Sequence, residues 1–238
     1  MEERTKRTEM LLGEAAMDRL RAAHVIVFGL GGVGSWCAEA LARSGVGKLT
    51  LVDEDAVSES NINRQLCALG STIGASKAEA MAARLRDIAP GAVIVPVTAR
   101  YEASSRGRFF PGDYACAADC IDLVSCKTDL IEAALGSGTP IVSALGTGNK
   151  LDAARLEIAD LAETHGCPLA RVMRRELRRR GIEHLEVVYS PEEALEPAQP
   201  EAPPPGRRSV PGSVVWVPAS AGLLMAQAVV LKIAGVRA

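Results

Sequence analysis

Residues 24–34 read HVIVFGLGGVG, and no other stretch constrains the chain as much. A short β-branched run ends in Gly29-Leu30-Gly31-Gly32-Val33-Gly34, a G-x-G-x-x-G that leads straight into the small-residue run SWCAEALARSG. A strand that turns into a helix on glycines brings backbone N–H groups and the positive end of a helix dipole to one point, which is a phosphate site. Gly29, Gly31, Gly32 and Gly34, with Ser35 at the helix start, are therefore candidate phosphate-loop residues. The next run, KLTLVD, ends at Asp53, 53 − 34 = 19 residues beyond the last glycine, a spacing that suits a carboxylate accepting hydrogen bonds from ribose hydroxyls. An adenosine-type nucleotide is the expected ligand.

Strand and helix patterns alternate from there. After KLTLVD (48–53), SKAEAMAARLRDI (76–88) has helical periodicity and is stopped by Pro90 and Gly91. AVIVPV (92–97), YACAAD (114–119) and PIVSAL (140–145) read as strands, with a helix at about 127–135 between the last two. Such repetition implies right-handed crossovers and a Rossmann-like, doubly wound α/β fold with a mostly parallel sheet. At 238 residues and 48% hydrophobic, the chain fills one such core, and a single domain over 1–238 is expected.

Further on, a helix at about 168–180 precedes HLEVVYS (184–190). The segment 191–212, PEEALEPAQPEAPPPGRRSVPG, has too many prolines for helix or sheet interior and reads as a flexible loop inside that domain. The flanking runs EVVYS and SVVWVP are expected to pair antiparallel and to extend the sheet near the C-terminus, with Trp216 packed on a strand. The last apolar run is interrupted by Pro218 and Gly222 and carries Gln227 and Lys232, which fits a packed helix better than a membrane span.

The loop after the second strand, LVDEDAVSESNINRQ (51–65), holds more polar chemistry than a dinucleotide site needs. Hydride transfer from a nicotinamide asks for little extra positive charge. Splitting ATP between its α and β phosphates asks for cations on the departing pyrophosphate and a held Mg²⁺. Arg64 and Lys77 supply cations, and nearby acids can hold the metal.

Four motifs in order, GLGGVGS, LVDEDAVSESNINRQ, IGASK (73–77) and DCIDLVSCKTDL (119–130), resemble the adenylating enzymes related to ubiquitin-activating enzyme. That family includes the molybdopterin-synthase and thiamine-pathway sulfur-carrier adenylyltransferases. The lead-in RTEMLLG (7–13) and the helix GGVGSWCAEALARSG look most like the tRNA threonylcarbamoyladenosine dehydratase branch. The resemblance implies adenylation of the carboxylate of threonylcarbamoyladenosine in tRNA, then ring closure with AMP as leaving group. It also implies roles: Asp53 on the ribose, Asn61, Arg64 and Gln65 around the phosphates and metal, Lys77 on the phosphates, Asp122 on Mg²⁺ with Asp55 assisting, and Arg7 reaching from a partner subunit of a homodimer. Leu123 departs from the polar residue the family usually has after its metal aspartate. The cysteine pairs that bind zinc in several relatives are absent, so no zinc is expected. The alternative within the family is activation of the C-terminus of a ubiquitin-like sulfur-carrier protein.

A formal net charge of −2 excludes a general attraction to nucleic acid and leaves room for a local patch. LARVMRRELRRRG supplies one: Arg171, Arg174, Arg175 and Arg178 fall at i, i+3, i+4 and i+7, a cationic stripe that suits an RNA backbone. Six cysteines without a C-x-x-C pair read as free thiols, Cys167 included, and with a charged N-terminus they point to a cytoplasmic protein.

Overall fold

Side chains of β1 (His24–Phe28) alternate between two cores, Val25 and Val27 on one face of the sheet and Ile26 and Phe28 on the other. A computed structural model describes residues 3–110, 112–198 and 210–236, and in it β1 lies inside a seven-stranded sheet. Two helices, α1 (Lys6–Leu12) and α2 (Glu14–Ala22), precede β1. It is followed by α3 (Gly34–Arg43), β2 (Lys48–Val52), α4 (Lys77–Ile88), β3 (Val93–Val97), the short α5 (Arg106–Phe109), β4 (Cys116–Asp119), α6 (Val124–Gly136) and β5 (Ile141–Ala144). The chain finishes with β6 (Glu157–Asp160), α7 (Pro168–Arg178), β7 (Glu186–Tyr189) and α8 (Trp216–Ala234).

The strand order is β3-β2-β1-β4-β5-β7-β6, parallel throughout except for the β7–β6 pair. This is the Rossmann-like, doubly wound sheet with an antiparallel extension expected from the sequence. Between β1 and β4 the order reverses, and the loops leaving their C-terminal ends diverge to opposite faces. That reversal opens a crevice at the switch point, where ligands of such sheets bind.

The antiparallel strand is not the expected one. β7 pairs with β6, Glu157 facing Tyr189 and Asp160 facing Glu186, and SVVWVP forms no strand. Trp216 instead opens α8, half-exposed, its indole N–H donating to the Leu151 carbonyl at 2.6 Å. Pro218 explains the difference, because in the first turn of a helix its missing N–H is not needed, while in a strand it would interrupt the ladder. α8 is long and apolar enough to cross a membrane, yet Ala221, Met225 and Val229 are buried in the core it shares with α3. Gly222 lets the two helices touch: a Cβ there would stand 2.4 Å from the Val33 carbonyl oxygen. Of the proline-rich segment, residues 199–209 lie outside the described residues.

Candidate active site

The glycine loop closes on itself. Gly29 takes φ +85° with its α-carbon against the Cys120 carbonyl, which a Cβ would meet at 2.7 Å, and a Cβ on Gly34 would sit 1.8 Å from the Gly29 oxygen. No side chain fits at either position. Gly31 and Gly32 line a cavity of about 650 Å³ at the switch point, and Gly29 borders it. Ser35 is fully buried beneath the loop, its hydroxyl donating to the Gly31 carbonyl at 2.7 Å and accepting the Leu66 N–H at 3.1 Å. It thereby straps the glycine loop to the segment that carries Arg64 and Gln65.

Asp53, at the end of β2, faces the same loop. One carboxylate oxygen accepts the Leu30 N–H at 2.6 Å and the other accepts the Asp55 N–H at 2.9 Å. A carboxylate has about four acceptor positions, so two remain for a pair of ribose hydroxyls. Burial pushes the Asp53 carboxyl above its ordinary range, against the pull of those N–H groups and of Lys77.

The cations are held from below. Lys77, at the start of α4, is buried and donates to the Asp55 carboxylate at 2.7 Å. Arg64 rests its guanidinium on the Ser60 carbonyl at 2.9 Å and the Asn63 side-chain oxygen at 2.8 Å, while its own carbonyl accepts the Trp36 indole N–H at 3.2 Å. Asn61 organises this turn: its side-chain oxygen accepts the Ser58 N–H at 3.2 Å, and its carbonyl accepts the Arg64 and Gln65 N–H groups. Asn61, Arg64, Gln65 and Lys77 line the cavity, as do Asp53 and Asp55.

On the far side, Asp122 and Leu123 follow β4 and also line the cavity. Their loop is anchored by a buried network that the sequence reading did not single out. Asp119 accepts the Ile121 N–H at 3.1 Å with one oxygen; the other accepts the Lys127 ammonium at 2.7 Å and the Ser143 hydroxyl at 2.7 Å. Lys127, with no exposure, also donates to the Ala144 carbonyl at 2.8 Å, so one cation ties α6 to the ends of β4 and β5. A lysine on the apolar face of VSCKTDLIEAALG was the available signal.

Other lining residues were also missed. Phe28, Val52, Tyr101 and Cys126 make an apolar end fit for a base, with Tyr101 edge-on to Phe28 at 5.2 Å and its hydroxyl donating to Asp129 at 2.8 Å. Arg100 stands at the rim, 3.5 Å from Glu54. Leu145–Gly148, Leu169 and Pro211–Ser213 form the opposite end. Arg7 lies on the exposed side of α1, outside the cavity of its own chain. Cys167 is buried at the N-cap of α7, its sulfur accepting the Ala170 N–H at 3.5 Å, a packing role.

The arginine stripe lies on α7. Arg171, Arg175 and Arg178 are exposed, and Arg174 is turned back onto Thr164, donating to its carbonyl at 2.5 Å and to its hydroxyl.

Taken together, the cavity offers backbone N–H groups, a ribose-compatible carboxylate, the cations Arg64 and Lys77 with Arg100 at the rim, and an apolar end. Those are the needs of a bound adenosine phosphate whose phosphate chain is being polarised.

The tRNA threonylcarbamoyladenosine dehydratase of Bacillus subtilis is 37% identical over 236 residues, covering 95% of this chain and 93% of that protein. The crystal structure of the E. coli tRNA N6-threonylcarbamoyladenosine dehydratase in complex with ATP superposes with a TM-score of 0.87 at 33% identity, covering 97% of this chain and 93% of the other. The molybdopterin-synthase adenylyltransferase of Salmonella typhimurium is 36% identical over 126 residues, 53% of this chain and 50% of that protein. The ThiF family matches residues 5–237, and the chain belongs to that family.

Proposed function

We propose that this protein is an ATP-dependent tRNA threonylcarbamoyladenosine dehydratase, built as one adenylating domain. A carboxylate oxygen of the modified nucleoside attacks the α-phosphorus of ATP, and the bond to the β-phosphate breaks to release pyrophosphate. A neighbouring nucleophile on the same nucleoside then attacks the activated carbonyl carbon, loses its proton and expels AMP, closing the ring with net loss of one water. The observation that carries this reading is the 37% identity to the Bacillus enzyme across 95% of this chain and 93% of that one, which leaves no large part unmatched on either side.

The residues suit the steps. Two anions must meet in the first, and a cation near the transferring group lowers that barrier most as charge moves onto pyrophosphate. Arg64 and Lys77 are placed on the cavity wall to do this, the glycine loop N–H groups hold phosphate, Gln65 and Asn61 lie beside them, and Asp53 holds the ribose. Bound Mg²⁺ would supply positive charge to the phosphates as the pyrophosphate departs. Asp122 is a hard oxygen ligand of the kind that holds this ion together with phosphates and waters, and Asp55, which orients Lys77, is the second acid nearby. No covalent enzyme intermediate is needed, in keeping with six free cysteines, five of them buried. The tRNA substrate and these free thiols make the cytoplasm the compartment of this reading.

Mass spectrometry tests the proposal. tRNA carrying threonylcarbamoyladenosine, incubated with the protein and ATP, is expected to lose one water at that nucleoside while AMP and pyrophosphate accumulate in equal amounts. An unchanged tRNA mass, with pyrophosphate exchange stimulated by a ubiquitin-like sulfur-carrier protein, would replace this reading with the carrier-activating one.

A further inference from the structure

The segment from Pro168 to Gly181 carries six arginines, no lysine and a single acid, Glu176, in a chain whose formal net charge is −2. The inner face of α7 is fixed: Ala170, Met173 and Leu177 are fully buried in the core beneath the sheet. The outer face is open to solvent. Among the described residues, Arg171, Arg174, Arg175, Arg178 and Arg179 line a concavity of about 510 Å³.

Two of the five are partly compensated, since Glu176 pairs with Arg175 at 2.9 Å and with Arg179 at 3.3 Å. Arg174 is spent on Thr164. Among the described residues neither Arg171 nor Arg178 has a carboxylate partner, so the concavity keeps a strong positive excess. Arginine in place of lysine throughout favours phosphate as the ligand, because the planar guanidinium meets two phosphate oxygens at once.

Its location narrows the partner further. Leu169, in the first turn of α7, forms part of the catalytic cavity wall. At about 1.5 Å of rise per residue, Arg171 stands about 3 Å along the helix axis from Leu169, and Arg178 about 13 Å. The cavity wall and the basic concavity are thus carried by one helix, Leu169 on one side of α7 and the arginine row on the opposite side.

Resting on the reading of the substrate as tRNA, we propose that this concavity seats a stretch of the tRNA sugar–phosphate backbone while the modified nucleoside occupies the cavity on the other side of α7. Such contacts position the RNA without reading its sequence, and the site in the cavity supplies the selection.

The test uses the full chain with Arg171, Arg175 and Arg178 all changed to Glu, and in a second variant all changed to Gln. Arg174 is left alone because it holds Thr164. Binding of unmodified tRNA is followed by fluorescence anisotropy as salt is raised, with ATP binding and thermal melting as controls. Three lost phosphate contacts should flatten the slope of log affinity against log salt by about 2 to 3 and lower affinity at low salt by at least about a hundredfold, since each contact contributes roughly 0.7 to 0.9 to the slope. The Gln variant should show the same flattening with a smaller loss, and ATP affinity should stay unchanged in both. If wild type binds tRNA and both variants bind with its affinity and slope, the surface is misplaced while the tRNA reading stands. If wild type itself fails to bind tRNA, and binds a sulfur-carrier protein instead, that reading fails and this surface with it.

Discussion

At the scale of single residues, the cavity divides its work between charges that act on the ligand and bonds that hold those charges still. Lys77 reaches its place because Asp55 receives it, and Arg64 because Ser60 and Asn63 do. Removing either cation, by Arg64→Ala or Lys77→Ala, is expected to slow ATP–pyrophosphate exchange by about 10³, the lower end of what a charge on a transferring phosphoryl group contributes. Exchange at the wild-type rate in both variants would move the phosphates elsewhere in the cavity. Asp53 makes a different prediction. Burial raises its carboxyl pKa, so the folded chain keeps the proton to a higher pH than an unfolded aspartate would. Its ionised form thus costs stability above the raised value, and that cost disappears as pH falls through it. Ribose binding needs the ionised form, so affinity moves the opposite way. Titrated by calorimetry downward from neutral pH, adenosine should bind with constant affinity until the raised pKa is reached and then lose affinity towards about tenfold per pH unit. Asp53→Asn should remove the pH dependence; a variant that kept it would show that another group holds the ribose.

Elements show what the sequence could and could not announce. The phosphate loop, the start of α4 and the loop from Asp53 to Gln65 were legible because their determinants are local: a glycine with nowhere to put a side chain, a carboxylate at a strand end, a turn organised by Asn61. The base end and the opposite wall were not, since Tyr101, the 145–148 loop, Leu169 and Pro211–Ser213 converge from four separate places in the chain. No periodicity records that convergence. The misread strand at SVVWVP has a related origin, because four apolar residues suit either state, and it is Pro218, tolerated in the first turn of a helix, together with packing against α3 that decides. Lys127 is the clearest element-level case. It joins α6 to β4 and β5 from a site with no exposure, and Lys127→Met would leave the Asp119 carboxylate buried without its cation, at a cost of about 3–5 kcal/mol in a urea denaturation curve. The double variant Lys127→Met/Asp119→Leu should regain part of that stability, because no charge is left buried, although the Ile121 N–H, the Ser143 hydroxyl and the Ala144 carbonyl lose their partners. It should still bind ATP more weakly than wild type, since the Ile121 N–H loses the acceptor that orients the Asp122 loop. Recovery of both stability and ATP affinity would reduce the network to a packing feature.

On the scale of the whole molecule, the cavity of one chain holds every cation assigned to it except Arg7. That residue sits exposed on α1, a short helix that also exposes Met10 and Leu11, an apolar pair suited to contact with a second copy. If the protein works as a homodimer and Arg7 completes the partner's site, two defective chains should repair each other. Arg7→Ala lacks the donated arginine but keeps Lys77; Lys77→Ala lacks its own lysine but still donates Arg7. In a heterodimer of the two, the site in the Arg7→Ala chain has its own Lys77 and receives an intact Arg7, while the other site lacks both. Random pairing on co-expression makes about half the dimers mixed, each with one competent site of two, so activity should return to about a quarter of wild type. Each variant expressed alone should remain near its own low rate, and sedimentation should give the dimer mass in every case. A co-expressed mixture no more active than the average of its parents would mean that Arg7 serves its own chain or none, and the site would then have to be complete within a single subunit.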